Sequence, residues 1–411
     1  MELKYIVVIA IALIIGIAIG YIPSVVAPRP IETVTHVIRA TYTSPAIVTV
    51  TTTVTTVKEV RQTITATVTT PYTVARELKI TVTSIQPTTI AVSWPRKIVD
   101  ALGREIVFDI PPKRIVSTIP SITENIFALG LGDKVVGVDQ YSNHPQEVAQ
   151  LVSEGKITVV GGPWTLDIEK IATLKPDVVF MCRGVKPHET RFAPKLEELG
   201  IKTFFLTCNA IRNQYDIYTD LRLIAQIFDI EQKAEDVIRD IQMKIDDIAN
   251  KIADSKKPKV LQLIGPPSWG LYSVGGDTFI HWIIEVAGGS NIASSYSGWP
   301  QLSYEYIISK DPDIIVITAH EIDPKAVYEE ISTSPLANTS AWRNKDVYLL
   351  TGDANDVLSR PSVRVVEALE ILAHIIHPEI FGEIQRSDVT KIKDVELLSA
   401  TAITNPWKPI Y

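Results

Sequence analysis

One sequence pattern occurs twice, once in each half of the chain, and it constrains the fold more than any other feature. The first copy runs from Trp164 to Phe180 and the second from Trp299 to Ile317. In each copy a capping residue, Asp167 or Ser303, opens a short helix. A proline then ends the helix, because the residue before proline is pushed out of the α region. The apolar run that follows is too short for a helix and is typical of a buried parallel strand.

Two matched helix–strand units predict two matched α/β lobes, and the cleft between two lobes is a common place for a ligand. Strands alternate with helices around both copies, which indicates a parallel sheet in each lobe. Ser121 with Glu124 three residues later predicts a capping box for the helix that runs to Leu129. A stripe of apolar residues at helical spacing predicts one long amphipathic helix from Asp229 to Ser255, between the lobes.

The first residues indicate the compartment. Tyr5 to Ile22 is an almost unbroken apolar run that, at ~1.5 Å per residue, spans roughly 27 Å, close to a bilayer core. We interpret residues 1–27 as an uncleaved signal anchor, a single transmembrane helix. A cleaved signal peptide is the alternative, although Pro28 directly after a cleavage site disfavours it. Both interpretations place the rest of the chain outside the cell membrane.

The next segment, residues 28–93, is rich in Thr and Val. We expect a surface stalk whose Thr hydroxyls are available for O-glycosylation. A small β-domain is the alternative, because Val/Thr alternation has the period of a strand. The remaining chain is divided into an N-terminal lobe, a linking helix, a C-terminal lobe and a C-terminal tail, at residues 94–228, 229–256, 257–383 and 384–411.

Composition excludes several classes of function. The net charge of −7 argues against a nucleic-acid surface. The chain has only two cysteines, so no disulfide framework is implied, and neither lies near the N-terminus to carry a lipid. Gly130 and Gly132 lack the third glycine of a dinucleotide loop, and there is no phosphate-binding GK[ST] motif. We therefore predict a protein that is not an enzyme and has no cofactor.

Six segments carry a resemblance to a known family and follow the family's order: Asp100–Val107, Lys113–Glu124, Ala128–Val138, Leu174–Val179, Ala287–Ala293 and Arg360–Arg364. On these residues the chain resembles the extracytoplasmic substrate-binding proteins of ABC importers for cobalamin, ferric siderophores and haem. The resemblance implies two Rossmann-like lobes joined by one long helix, the class III periplasmic-binding-protein type. It also implies a ligand in the interlobe cleft, and an importer permease with its ATPase as partners.

Within this family the chain is most similar to the cobalamin-binding branch. Tyr141–Pro145 stands where that branch has a Tyr-Ser-Asp-Tyr-Pro-like loop, with His144 in place of the usual Tyr. Trp164 and the segment Trp299–Ser303 match a Trp before the first unit and a Trp-Pro-Gln-Val-Ser before the second. A corrin is a large, flat, mainly apolar ring, and aromatic side chains suit its faces. The resemblance implies cobalamin as the ligand, with haem or a ferric siderophore as the alternative.

Seven residues in predicted loops are candidate ligand contacts. The aromatic ones precede helices or follow strands, where an α/β cleft binds ligand, and the arginines suit a carboxylate, phosphate or catecholate. They are Tyr141, Trp164, Arg183, Trp269, Tyr272, Trp299 and Arg360. Aromatic core packing is the alternative for any single aromatic residue, and Arg364 is interpreted as helical surface.

Glu169 and Glu305 occupy the same place in the two repeated units. The resemblance implies that these glutamates lie on the lobe surfaces and pair with arginines of the permease. The alternative is that each glutamate only interacts with the dipole of its own helix, as any first-turn glutamate does.

Other residues support weaker expectations. His144, His188 and His320 follow the ends of three predicted strands and are candidate ligands for a transition metal or haem iron. Cys182 and Cys208 end neighbouring predicted strands, so they can form a disulfide in an oxidising exterior. Asn338 begins the one N-glycosylation sequon.

Two further classes of function stay open on the sequence. A surface adhesion or structural protein would use the Thr-rich segment, but it has no need of paired lobes. A chelatase-like enzyme has a similar two-lobed architecture, but it would need a tetrapyrrole reaction outside the membrane.

Overall fold

The computed structural model describes residues 94–395 and, before them, the strand residues 33–34, 39–44, 47–51, 64–68, 76–80 and 82–83. The chain divides into two compact units, Met1–Ala91 and Val92–Tyr411. The predicted anchor, residues 1–27, lies outside the described residues. Within the described part of the chain, no helix combines the length and the apolar character needed to cross a membrane.

The first unit contains short paired strands. Thr33–Val34 pairs antiparallel with Val82–Thr83. A separate sheet has four strands, in the order Ile47–Thr51, Arg39–Ser44, Ile64–Val68 and Arg76–Ile80. These strands fall inside the predicted stalk. Strand pairing is what the alternative of a small β-domain predicts, and an extended stalk has no such pairing.

The N-terminal lobe of the second unit is built on five parallel strands. Their order across the sheet is Thr158–Val159, Val135–Val138, Ile115–Ser117, Val178–Cys182 and Thr203–Leu206. The three strands from Ile115–Ser117 to Thr203–Leu206 are buried at every position, as the continuous apolar runs predict. The helices of this lobe are Pro120–Ala128, Gln146–Ser153, Ile168–Thr173, Ala193–Glu198 and Gln214–Phe228.

Two antiparallel hairpins accompany this sheet. Arg96–Val99 pairs with Glu105–Phe108 at the start of the lobe. Gly161–Gly162 pairs with Thr165–Leu166 just before the first repeated helix.

The C-terminal lobe repeats the architecture. Its sheet order is Ser290–Asn291, Lys259–Ile264, Ile314–Thr318, Val347–Leu350 and Val389–Lys391. The first four strands are parallel, and the last pairs antiparallel at the edge. Its helices are Phe279–Val286, Tyr304–Lys310, Pro324–Thr333, Ser340–Asn344, Gly352–Ser359, Val365–Ile376 and Pro378–Phe381. The edge strand comes from the predicted tail, where the sequence shows no clear pattern.

The linking helix is Glu231–Lys251, slightly shorter than predicted. It begins later because Asp229 has a left-handed φ of 59° and ends a separate helix, Gln214–Phe228, that the sequence pattern did not reveal. The linking helix packs against that helix of the first lobe and against Val365–Ile376 of the second. One apolar core therefore runs through both lobes along the linking helix, an arrangement that resists large hinge motions.

The repeated unit has the predicted local structure in both copies. The side chains of Asp167 and Ser303 accept the N–H groups of Lys170 and Tyr306, so both predicted caps are confirmed. The capping box at Ser121 is wrong. That helix begins at Pro120, its N-cap Ile119 offers no side-chain oxygen, and Glu124 is buried.

The chain order places a topological switch point in each sheet. In the first lobe the connections run outward in opposite directions from Ile115–Ser117 and Val178–Cys182. In the second lobe the switch lies between Lys259–Ile264 and Ile314–Thr318. Ligands of open α/β sheets bind outside the carboxyl ends of strands at such a point.

Candidate ligand-binding cleft

Trp164 projects from a tight hairpin in the first lobe. It occupies the turn between Gly161–Gly162 and Thr165–Leu166, and its side chain is 58% exposed. The Gln140 N–H donates to the Gly161 carbonyl at 2.9 Å, which places the loop that carries Tyr141 beside the hairpin. Tyr141 is also exposed. Two predicted aromatic contacts of the first lobe therefore lie on adjacent loops with accessible rings.

His188 fastens the Trp164 turn to the sheet. Its Nδ1 accepts the Cys182 N–H at 3.1 Å, and its Nε2 lies 2.8 Å from the Pro163 carbonyl. This pairing requires the neutral ring with its proton on Nε2. Burial lowers the pKa of His188 to about 4, which agrees with a neutral ring. Both ring nitrogens are engaged inside the protein, so the hypothesis that His188 is a metal ligand is wrong.

Three aromatic residues cluster on the second lobe. The Leu302 N–H donates to the Leu271 carbonyl at 2.9 Å, and Tyr272 forms a bridge with Gln301. This pairing places the segment that carries Trp299 alongside the segment that carries Tyr272, and both rings are exposed. Trp269 lies just before, in the loop that follows the strand Lys259–Ile264, and it too is exposed.

Two glycines make this aromatic cluster possible. Gly265 has a φ of 86° and lies under the indole of Trp269, so any side chain there would collide with the ring. A Cβ at Gly270, whose φ is 104°, would lie 2.9 Å from the Tyr272 ring. The two glycines thus let the backbone pass close to the Trp269 and Tyr272 rings, which stay exposed.

Arg360 differs from the other predicted contacts. It is only 8% exposed, and its guanidinium binds Glu124 of the first lobe and Asp356 of its own. Arg364 is buried as well, paired with Asp353 and Glu367, so its interpretation as helical surface is wrong.

Arg183 is exposed and follows the strand Val178–Cys182. One of its guanidinium nitrogens donates to the Ala101 carbonyl at 3.3 Å. The preceding residue, Cys182, forms a disulfide with Cys208, with a Cα–Cα distance of 5.2 Å. This bond joins the carboxyl ends of two neighbouring strands, and one of its cysteines immediately precedes Arg183 in the chain.

Sequence reasoning missed an electrostatic interaction between Arg212 of the first lobe and Asp277 of the second. Arg212 follows the last strand of the first lobe, and Asp277 lies in a glycine-rich loop of the second. The Gly298 N–H lowers the pKa of Asp277 by donating to it, and the charge of Arg212 lowers it further. Both side chains are exposed. A solvated arginine has no periodic pattern, so only its position after a strand end could have suggested it.

His144 and His320, the other two candidate metal ligands, do not form a metal-binding group with His188. His144 is half-buried, and burial followed by the charge of Arg364 lowers its pKa. His320 is exposed, with its Nδ1 3.6 Å from an Asp356 oxygen. Among the described residues, no group of three or more His, Cys, Asp or Glu side chains could hold a metal ion.

Glu169 and Glu305 are the second residues of the two repeated helices, Ile168–Thr173 and Tyr304–Lys310. Both side chains are exposed. The backbone N–H of Glu305 and the Ser303 hydroxyl lower the pKa of the Glu305 carboxyl, which stays ionised at neutral pH. Asn338 of the sequon is also exposed, at the end of the short helix Pro335–Asn338.

Comparison with known proteins agrees with this geometry. The periplasmic binding protein family matches residues 115–354. An uncharacterized ABC transporter substrate-binding lipoprotein of Bacillus subtilis is 30% identical over 294 residues, 71% of this chain and 88% of that protein. A cobalamin-binding protein of Halobacterium salinarum is 29% identical over 297 residues, 70% of this chain and 75% of that one.

Solved structures show the same fold. A periplasmic haem-binding protein from Pseudomonas aeruginosa aligns with a TM-score of 0.59 and 25% identity, covering 68% of this chain and 97% of that one. A periplasmic vitamin B12-binding protein of Vibrio cholerae aligns with a TM-score of 0.54 and 24% identity, covering 65% and 97%. The predicted family is confirmed: this chain belongs to the periplasmic binding proteins, the family that supplies substrates to ABC importers.

Proposed function

We propose that this protein captures a cobalamin-like corrinoid in its interlobe cleft and delivers it to the permease of an ABC importer. The observation that carries the proposal is the set of accessible aromatic rings at the carboxyl ends of both sheets. Trp164 and Tyr141 lie on the first lobe, and Trp269, Tyr272 and Trp299 lie on the second. Large aromatic side chains left in solvent at a switch point suit a broad apolar ring.

The comparisons support this ligand class. The relative from Halobacterium salinarum is a cobalamin-binding protein, and its similarity extends over most of this chain. Proteins of this family act by binding and release, and the proposal includes no catalytic step.

Haem or a ferric siderophore is the second candidate. The exposed cation of Arg183 at the end of a switch-point strand favours it, because a guanidinium binds carboxylates and catecholates. The 25% identical structure from Pseudomonas aeruginosa is a haem-binding protein.

The partner surface of the proposal is the pair Glu169 and Glu305. Each is exposed at the start of one of two equivalent helices, one helix per lobe. Two like charges at equivalent places suit a two-fold permease that presents an arginine to each lobe. We place the first residues, 1–27, in the membrane as an anchor, so that the lobes are held outside the cell membrane.

Titration calorimetry of the full chain in detergent tests the ligand. We expect a submicromolar Kd for cyanocobalamin and a shift of the corrin absorbance bands on binding. Tight binding of haem or a ferric siderophore with no heat from cobalamin would transfer the assignment to the second candidate. No binding of any of the three would refute the proposed ligand class.

A further inference from the structure

Arg360 is the central residue of a buried polar contact between the two lobes. Its Nη1 donates to Glu124 Oε1 at 3.2 Å and to Asn143 Oδ1 at 2.7 Å. Its Nη2 donates to the Tyr141 carbonyl at 3.1 Å and lies 2.7 Å from Asp356 Oδ2. Three of these four partners belong to the first lobe. A single guanidinium of the second lobe therefore holds backbone and side chain of the loop that carries Tyr141.

Asn143 is held on both sides of its amide. While its Oδ1 accepts from Arg360, its Nδ2 donates to Asp356 Oδ2 at 3.0 Å. Both partners lie in the second lobe, within one turn of each other on the chain. The Asn143 amide thus joins the loop to the second lobe through two hydrogen bonds, one that it accepts and one that it donates. Together they fix the orientation of the amide.

The first lobe holds the same loop from the opposite side. The Tyr141 N–H donates to Asp139 Oδ1 at 2.8 Å, and the Ser142 hydroxyl donates to the other Asp139 oxygen. Ser142 Oγ also lies 2.8 Å from Thr123 Oγ1, which donates to Ser117 Oγ at 2.8 Å. The backbone of the loop is secured from two lobes, while the Tyr141 ring stays in solvent.

We propose that Arg360 is a positioning residue for the ligand site: through Asn143 and the Tyr141 carbonyl it sets where the Tyr141 ring stands relative to the aromatic cluster of the second lobe. This inference rests on the proposed function of the cleft. It replaces the sequence expectation that Arg360 grips the ligand, because the guanidinium is buried and its donors are engaged with protein acceptors.

The chemistry of this position requires arginine. Glu124 and Asp356 are both buried carboxylates, so the position needs a cation. A lysine would supply the charge, but its single ammonium group cannot reach four acceptors in a planar fork. Lysine at this position is therefore expected to keep the two ion pairs and lose the hold on the loop.

Asn143→Ala is the cleanest test, because Asn143 is exposed and its removal leaves the buried ion pairs of Arg360 intact. The full chain is used, with Gln150→Ala as the matched control. Gln150 is an exposed amide on the helix Gln146–Ser153 that donates to Glu154 and has no hydrogen bond to Arg360 or Asp356. Arg360→Lys is the second variant, and Tm is measured for all three.

Amide hydrogen exchange of the ligand-free protein measures how firmly the loop that carries Tyr141 is held. We expect the amides of Tyr141 and Ser142 to exchange about fivefold or more faster in Asn143→Ala, with Tm unchanged within about 2 °C. Cyanocobalamin affinity should fall about tenfold in the same variant and in Arg360→Lys. Gln150→Ala should change neither quantity.

The outcomes separate this inference from the proposed function. Unchanged exchange of the loop amides in both cleft variants would overturn the positioning role, whatever the ligand. Faster exchange with unchanged affinity for cyanocobalamin, or for whichever of haem and ferric siderophore the wild type binds, would also overturn it. A wild type that binds none of these probes would refute the proposed ligand class, and the exchange rates would still decide whether Arg360 and Asn143 hold the loop.

Discussion

Asp177 and Asp313 occupy equivalent places in the two lobes, and each carboxylate holds the start of the first strand of its own sheet. Asp177 Oδ2 accepts the N–H groups of Lys113 and Arg114 at 2.7 and 2.9 Å. Asp313 Oδ2 accepts the Lys259 N–H at 2.8 Å. The carboxylate that follows each repeated helix therefore makes the same kind of hydrogen bond in both lobes, although the strand orders of the two sheets differ.

Glu169 and Glu305 also occupy matching positions in the two repeated units, and we predict that they act together in docking to the permease. Replacing Glu169 and Glu305 together with Ala should leave the ligand Kd within about twofold, because both side chains are exposed on their helices. Stimulation of the importer's ATPase should fall sharply, since charge pairs buried at a docked interface are worth about 2–5 kcal/mol on truncation. Reconstituted permease with and without the binding protein gives the measurement.

Glu198 and Glu329 provide the control for this experiment, because each is an exposed helical glutamate outside the repeated unit, again one per lobe. The Glu198→Ala, Glu329→Ala double variant should stimulate the ATPase like the wild type. Loss of ligand binding in the Glu169, Glu305 variant would mean that these glutamates belong to the cleft. Unchanged ATPase stimulation would mean that they only interact with the N-termini of their own helices.

The exposed tryptophans should contribute to affinity with little effect on folding. Trp164→Ala and Trp299→Ala should each weaken cyanocobalamin binding about 5–30-fold, equivalent to about 1–2 kcal/mol of lost ring contact. The free energy of unfolding should change by less than about 1 kcal/mol, because both rings already stand in solvent. Calorimetry and denaturant unfolding measure the two effects.

Tyr215→Ala is the matched control, since Tyr215 is an exposed aromatic residue on a helix of the first lobe. It should bind ligand like the wild type. Equal affinities for all three variants would show that the tryptophans do not contact the ligand.

The lobed fold could be predicted because its signals are local. The caps Asp167 and Ser303, the prolines that end the repeated helices and the buried strands are each encoded within a few neighbouring residues. The sequence pattern did not reveal the helix Gln214–Phe228, which ends at the left-handed Asp229 just before the linking helix. The edge strand Val389–Lys391 was missed because it is short and gains its hydrogen bonds from a partner distant in sequence.

The site was only partly predictable for the same reason. The candidate aromatic residues follow strand ends, so their position at the carboxyl edges of the sheets follows from topology. The pairing of Arg360 with Glu124 joins residues 236 positions apart, and no local sequence pattern predicts it. His188 follows a strand end like a ligand residue, yet its surroundings bury it, and burial is a property of the assembled fold.

The disulfide gives a prediction for stability. Cys182 and Cys208 are 26 residues apart in sequence and lie buried at the ends of neighbouring strands. The double change to Ser should lower the free energy of unfolding by about 2–4 kcal/mol. Reductant should lower the Tm of the wild type toward that of the variant and leave the variant unchanged. A wild type whose thiols are shown to be free and whose Tm does not respond to reductant would contradict this prediction.

His188 should make the protein less stable in mild acid. Its pKa is lowered from 6.5 to about 4 in the folded state, so between these values the unfolded chain binds more protons than the native one. The free energy of unfolding therefore falls as pH decreases from 6.5 to 4, by up to about 3 kcal/mol from this residue.

His188→Gln keeps an acceptor for the Cys182 N–H and a donor for the Pro163 carbonyl but does not titrate. The difference between wild type and variant, measured by urea unfolding at several pH values, should favour the wild type most near neutral pH and diminish toward pH 4. A difference that is constant across this range would mean that His188 is charged in the folded protein or does not contribute to its acid sensitivity.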